Sequence, residues 1–154
     1  MTLYTAKSLI WEEAGGGTHL DSFIPNASVI AYLASSKRSP EMVRLLIEHG
    51  ADINAQDRKL LTPLHLTSVS ENPASEIVKV LIEHGADINA LDERKRTPFH
   101  LAAYYSLALK GDIVRQFISH GANIDAKDER GRTPFQVAAS SSFTEIAELQ
   151  SRTT

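Results

Sequence analysis

The 154-residue chain carries 16 Lys and Arg against 19 Asp and Glu, a formal net charge of -3, with 42% hydrophobic residues and no cysteine. That composition excludes disorder and collagen-like structure, and it leaves no disulfide framework, thiolate nucleophile or cysteine zinc site. The mild acidic balance argues against general nucleic-acid binding, and no apolar run reaches the roughly 18 residues of a membrane span.

Residues 3–14 read as a helix, with Leu3, Ala6 and Ile10 on one face, Tyr4 and Trp11 beside it, and Gly15-Gly16-Gly17 ending it. No basic stretch followed by an apolar core marks a secretory signal, so the chain is expected in the cytosol or nucleus. Residues 1–25 are read as an N-terminal helix and Gly-rich linker or cap. Remnant of an earlier repeat and separate cap both stand as readings of it. The three glycines lack the Gly-Lys-Ser/Thr ending and the βαβ surroundings of a phosphate loop.

Further along, the chain repeats itself. Ile47-Glu48-His49-Gly50-Ala51-Asp52-Ile53-Asn54-Ala55 returns at Ile82–Ala90 and, loosened, at Ile118–Ala126, with the glycines 35 and 36 residues apart. A second motif keeps phase with it: Thr62-Pro63-Leu64-His65, Thr97-Pro98-Phe99-His100 and Thr133-Pro134-Phe135-Gln136 each begin 12 residues after that glycine. Ser39-Pro40-Glu41 reads as a helix start. Lys37-Arg38-Ser39-Pro40 also matches a proline-directed phosphorylation site, but Ser39 as cap is the simpler reading. Thr62-Pro63 starts a short helix from Leu64 to about Ser68, since Thr caps with its hydroxyl and Pro at the first position loses no hydrogen bond. Glu76–Glu83 is a second helix, apolar enough to lie between neighbours, and Gly85 stops it. The polar link from Ala86 to Arg96 is too short for a helix and reads as an extended turn or hairpin. Thr97-Pro98 restarts the pattern, with a helix from Phe99 to about Tyr105.

Thr-Pro-Leu-His-Leu from Thr62, the run from Glu76 to Ala90, and Gly131-Arg132-Thr133-Pro134 resemble the ankyrin repeat, with its T-P-L-H-x-A signature and period near 33. The resemblance is strong from about Pro40 to Ala139. It implies an all-α ankyrin-repeat solenoid of stacked helix-loop-helix units with short hairpin-like connections. Counting by the family spacing makes Val29–Ser35 a degraded first helix and gives a repeat domain over 26–154. Its repeats run about 26–51, 52–86, 87–122 and 123–154. In the last of them, Gln150 and Ser151 replace the apolar Leu46 and Ile47 of the second helix, as suits a terminal repeat facing water. The expected core is Val43, Leu46, Ile47, Leu64, Leu66, Val78, Leu81, Ile82, Phe99, Leu101, Ala102, Val114, Phe117, Ile118, Val137 and Ala138.

The sequence departs from the family pattern in two ways. The middle repeats insert two and three residues between their helices, around 70–75 and 106–111. The family's hairpin glycine survives only at Gly131, while Leu60 and Lys95 occupy the matching positions. Non-glycine residues resist positive φ, which predicts an altered turn at both.

Six histidines suggest metal, but His49, His84 and His120, like His65 and His100, recur once per repeat. Stacked units lie about 8–10 Å apart, too far for donors that each need to be about 2 Å from one ion. His65 and His100 are therefore expected to bridge to the neighbouring loop, and the other three to sit at helix C-termini. Asp57, Asp92 and Asp128 are expected to hold turns through backbone N–H groups. No Gly-x-Ser-x-Gly occurs, and no catalytic residue, cofactor or metal is assigned. Asn26-Ala27-Ser28 fits a glycosylation pattern that means little without a secretion signal. Asn54 and Asn89, eight residues after Leu46 and Leu81, resemble ankyrin-repeat asparagines that are hydroxylase substrates. A hairpin-stabilising Asn accounts for them equally.

What remains is binding. The resemblance implies a non-enzymatic protein-interaction module, expected to be monomeric, that meets a protein partner on the concave face formed by hairpin tips and first helices. Four repeats in so short a chain resemble small ankyrin inhibitors, including those of cyclin-dependent kinases and of the NF-κB system, and no residue selects either target. The candidate partner-binding residues are Arg58, Lys59, Arg94, Arg96, Tyr104, Tyr105, Arg130 and Arg132, with Leu107 and Leu109 as an apolar extension. The opposing reading is a catalytic or small-ligand-binding protein whose site includes the N-terminal segment.

Overall fold

The computed structural model describes residues 40–69, 75–104 and 111–140. They form six helices: α1 (Pro40–Glu48), α2 (Pro63–Val69), α3 (Ser75–Glu83), α4 (Pro98–Tyr104), α5 (Gly111–Ser119) and α6 (Pro134–Ser140). No strand occurs among the described residues, and none of these helices is long and apolar enough to cross a membrane. The expectations for residues 1–39, for Ser70, for Tyr105 to Lys110 and for the end of the last repeat fall outside the described residues.

Two rows of helices result. The first helices α2, α4 and α6 pack on one another in sequence, and the second helices α1, α3 and α5 do the same. Each first helix begins with a reciprocal cap. The Thr62 hydroxyl accepts the His65 N–H at 3.4 Å, and the Thr62 N–H donates back to His65 Nδ1 at 3.2 Å. Thr97 and His100 repeat this, and at Thr133 the side chain of Gln136 takes the histidine's part at 2.9 Å. It is a capping box with His or Gln at the third helical position, and Pro at the first position forfeits nothing.

Each second helix ends in a Schellman motif. After α3, the Ala86 N–H reaches Leu81 O at 2.9 Å and the Gly85 N–H reaches Ile82 O at 3.1 Å, with Gly85 at φ 89°. The left-handed geometry satisfies carbonyls that a helix end leaves open. His84 Nδ1 donates to Val80 O at 2.7 Å one turn back, and His49 does the same to Leu45 O.

The core lies between the rows. Phe99 is fully buried and joins three helices: its ring stacks on Phe117 of α5 at 5.7 Å and meets Phe135 of α6 edge-on at 5.6 Å. Ile77, Val80, Ile113 and Phe135 are buried although the sequence reading omitted them, whereas Ile47, Ile82 and Ile118 are only partly buried. The three isoleucines each follow a fully buried residue by one position. That turns them about 100° round the helix, to the edge of the buried arc. Leu66 is likewise half-buried where its equivalent Leu101 is buried.

The hairpins correct one expectation. Leu60 and Lys95 adopt φ 58° and 56°, the same left-handed turn as Gly131 at 72°. Each donates its N–H to the carbonyl of Asp57 or Asp92, as Gly131 does to Asp128. The turn survives because the aspartate side chain fixes it from inside. Asp92 Oδ1 accepts the N–H groups of Arg94 and Arg96 at 2.9 and 2.8 Å, and Asp57 and Asp128 do the same in their own hairpins. Two such bonds outweigh a left-handed conformer's cost of about 1–2 kcal/mol.

Candidate functional site

Adjacent hairpins are tied edge to edge. The Glu93 N–H donates to Lys59 O at 3.1 Å, and the Glu129 N–H to Arg94 O at 2.9 Å. Nearer the helix C-termini, Asn54 Oδ1 accepts the Asp87 N–H at 2.7 Å and Asn89 Oδ1 accepts the Asn123 N–H at 2.8 Å, so these asparagines join one unit to the next. At the root of the hairpins, His65 Nε2 donates to Arg96 O and His100 Nε2 to Arg132 O, each at 3.0 Å. Both imidazoles are fully buried. Burial holds their pKa below the ordinary 6.5, against opposing contributions from the bonded carbonyls and nearby aspartates. These partners account for the recurrence of the histidines, and no group of side chains that could hold a metal ion occurs among the described residues.

Where the hairpins at Asp92 and Asp128 meet α4 and α6, they enclose an open depression of about 280 Å³. The tips contribute Arg94, Arg96, Arg130 and Arg132, with Asp128 and Glu129, and the helices contribute His100, Leu101, Tyr104 and Val137. The four arginines are not equivalent. Arg96 is ion-paired with the buried Asp92 at 2.7 Å, and Arg132 with the buried Asp128 at 2.8 Å. Burial alone would raise the Asp128 pKa. The Arg132 amide and guanidinium and the Arg130 amide outweigh it and hold that pKa below the ordinary range. Arg94 and Arg130 are exposed, and their side chains make no ion pair among the described residues.

The candidates named from sequence therefore divide. Arg94, Arg130 and the half-exposed Tyr104 line the depression from exposed positions. Arg96 and Arg132 line it too, but their charge is spent on holding the hairpins. Arg58 and Lys59 are exposed on the hairpin at Asp57, outside the depression. Tyr105, Leu107 and Leu109 lie outside the described residues, as does the N-terminal segment on which a catalytic reading depends. Asp92 and Asp128 were assigned to turns but not recognised as anchors of the arginines. The signal was present: Asp and Arg recur four residues apart in both hairpins, while Leu61 breaks the pattern after Asp57.

A family model described as ankyrin repeats (3 copies) matches residues 3–92 and again residues 66–150. No curated protein matches the chain.

Proposed function

Since the chain belongs to the ankyrin repeat family, whose repeats are generally protein-protein interaction modules, we propose that it works by non-catalytic binding of a protein partner on the face formed by hairpin tips and first helices. The observation that carries this reading is the depression in which Arg94, Arg130 and Tyr104 converge on one side of the repeat array. Arg and Tyr are the residue types that anchor interfaces, through charge-assisted hydrogen bonds and large rigid area. A stacked array supplies a preformed extended surface, so its output is recognition, and through it inhibition or scaffolding. Arg58 and Lys59, both exposed, continue the surface on one side.

Affinity capture from cell extract with the intact chain, followed by mass spectrometry, identifies the partner. The Arg94→Glu, Tyr104→Ala double variant then tests the face. Its affinity for that partner is expected to fall by about a factor of ten or more, the equivalent of one lost hot-spot contact. An affinity within twofold of wild type, with the helical circular-dichroism spectrum intact, places the docking site elsewhere.

A further inference from the structure

Resting on that interaction reading, we infer that the hairpin edge takes an acidic partner segment in the polyproline II conformation, with a carboxylate at every third residue.

The first observation is a column of cations. Lys59, Arg94 and Arg130 each stand two residues after a hairpin aspartate, Asp57, Asp92 and Asp128, and so occupy one register in three successive hairpins. All three are exposed, and none has an ion pair among the described residues. Arg96 and Arg132, two positions further on, are held by buried aspartates, so the column is distinct from the structural arginines.

The second observation is spacing. Backbone bonds tie Lys59 to Glu93 at 3.1 Å and Arg94 to Glu129 at 2.9 Å, so the hairpins stack in register; equivalent positions of stacked helical units are spaced like packed helices, about 8–10 Å. A polyproline II segment rises about 3.1 Å per residue with three residues per turn, which returns a side chain to the same face every ~9 Å. Same-face residues of a β-strand recur every ~7 Å, and those of an α-helix lie ~5–6 Å apart at i, i+3 or i, i+4 and ~10.5 Å apart at i, i+7, so polyproline II falls nearest the middle of the repeat spacing.

The third observation is what flanks the cations. Leu60 is 44% exposed beside Lys59, and Tyr104 is 50% exposed beside Arg94 in the depression. Pro-rich segments dock on such apolar and aromatic surfaces, and their preformed helix loses little entropy on binding. Glu93 and Glu129 precede Arg94 and Arg130 in the same tips and would repel a continuous polyanion such as nucleic acid or an anionic membrane. Discrete carboxylates one repeat apart can meet the cations and pass the glutamates by.

The test is an NMR titration of the full chain, labelled with ¹⁵N, using the capped nonapeptide Glu-Pro-Pro-Glu-Pro-Pro-Glu-Pro-Pro. The comparison peptide has the same composition with its three glutamates contiguous. The spaced peptide is expected to bind about fivefold tighter or better, shifting the amides of the hairpins at Asp57, Asp92 and Asp128. Arg94→Gln with Arg130→Gln is expected to weaken it at least about tenfold, while Lys79→Glu with Arg115→Glu on the second helices leaves it within about twofold. Equal binding of the two peptides, or retention by the glutamine variant with its helical spectrum intact, overturns the inference. Tighter binding of oligo-thymidylate or of phosphatidylserine vesicles than of the spaced peptide overturns it in favour of a polyanion. If Arg94→Glu with Tyr104→Ala releases the captured partner but the spaced peptide shows no preference, this inference falls and the interaction reading stands. If the spaced peptide binds as expected while partner capture is unaltered, the acidic site stands and the assignment of the partner's docking face falls.

Discussion

His65 and Arg96 are 31 residues apart and meet through one hydrogen bond: imidazole Nε2 donates to the Arg96 carbonyl at 3.0 Å. On the ring's other side, Nδ1 accepts the Thr62 N–H at 3.2 Å. A carbonyl can only accept and an amide N–H can only donate, so the two partners fix the neutral tautomer. One fully buried ring thereby closes its own helix cap and holds the next hairpin. His100 does the same between Thr97 and Arg132.

Protonating either ring would put a second N–H against the threonine amide and a charge in the core. Burial keeps both pKa values below 6.5 in the folded chain, so the unfolded chain binds more protons below that pH. The stability from these neutral rings is complete above about pH 6.5. It is lost progressively as pH falls below that value towards the folded pKa. Urea midpoints measured between pH 8 and pH 5 should decrease across that window, and His65→Gln with His100→Gln should flatten the decrease. Asp128 contributes at lower pH: its depressed pKa adds stability present above the ordinary carboxylate value of 3.8 and lost as pH falls below it.

Replacing His100 alone by Gln reproduces the arrangement found at Thr133 and Gln136, where the cap is closed by Gln136 Oε1 at 2.9 Å. The cap should survive and the bond to Arg132 O should be lost. The expected cost is about 0.5–1.5 kcal/mol in chemical denaturation, because the Arg132 carbonyl loses the imidazole N–H and keeps only the Asp128 N–H. Hydrogen exchange should quicken first in the hairpin from Asp128 to Arg132.

Leu60 and Lys95 hold left-handed turns that glycine holds without strain. Leu60→Gly and Lys95→Gly should each stabilise the chain by about 0.5–1 kcal/mol, the relief of strain exceeding the added flexibility of the unfolded chain. Gly131→Ala should destabilise it by about 1 kcal/mol or more. Thermal melts of the three variants check the signs, and a lower melting temperature for Lys95→Gly would contradict the account.

Phe99 touches aromatic rings on α5 and α6, so truncation opens a cavity shared by three helices. Phe99→Ala should cost about 3–5 kcal/mol, and Leu81→Ala about 2–5 kcal/mol. Asp128→Ala should cost about 1–3 kcal/mol, because it releases two backbone N–H groups as well as the Arg132 guanidinium. Asp128→Asn keeps an acceptor oxygen for those amides and should recover part of the loss.

The repeat, the helix starts at Pro63, Pro98 and Pro134, the glycine stops and the bridging histidines were all legible in the sequence. They depend on local chemistry, a hydroxyl three residues from an amide or a residue without Cβ at a left-handed turn, and the repeat prints that chemistry several times. Which isoleucines lie at the edge of the core was not legible, because periodicity gives a face of a helix but not how far its neighbours wrap around it. Nor was the turn at Leu60 and Lys95, where propensity argued for distortion and two backbone hydrogen bonds accepted by the hairpin aspartate overrode it. The same interaction separated the arginines. Arg94 and Arg96 look interchangeable as letters, yet burial of Asp92 at the root of the hairpin commits one and leaves the other exposed, and only packing between repeats decides that burial.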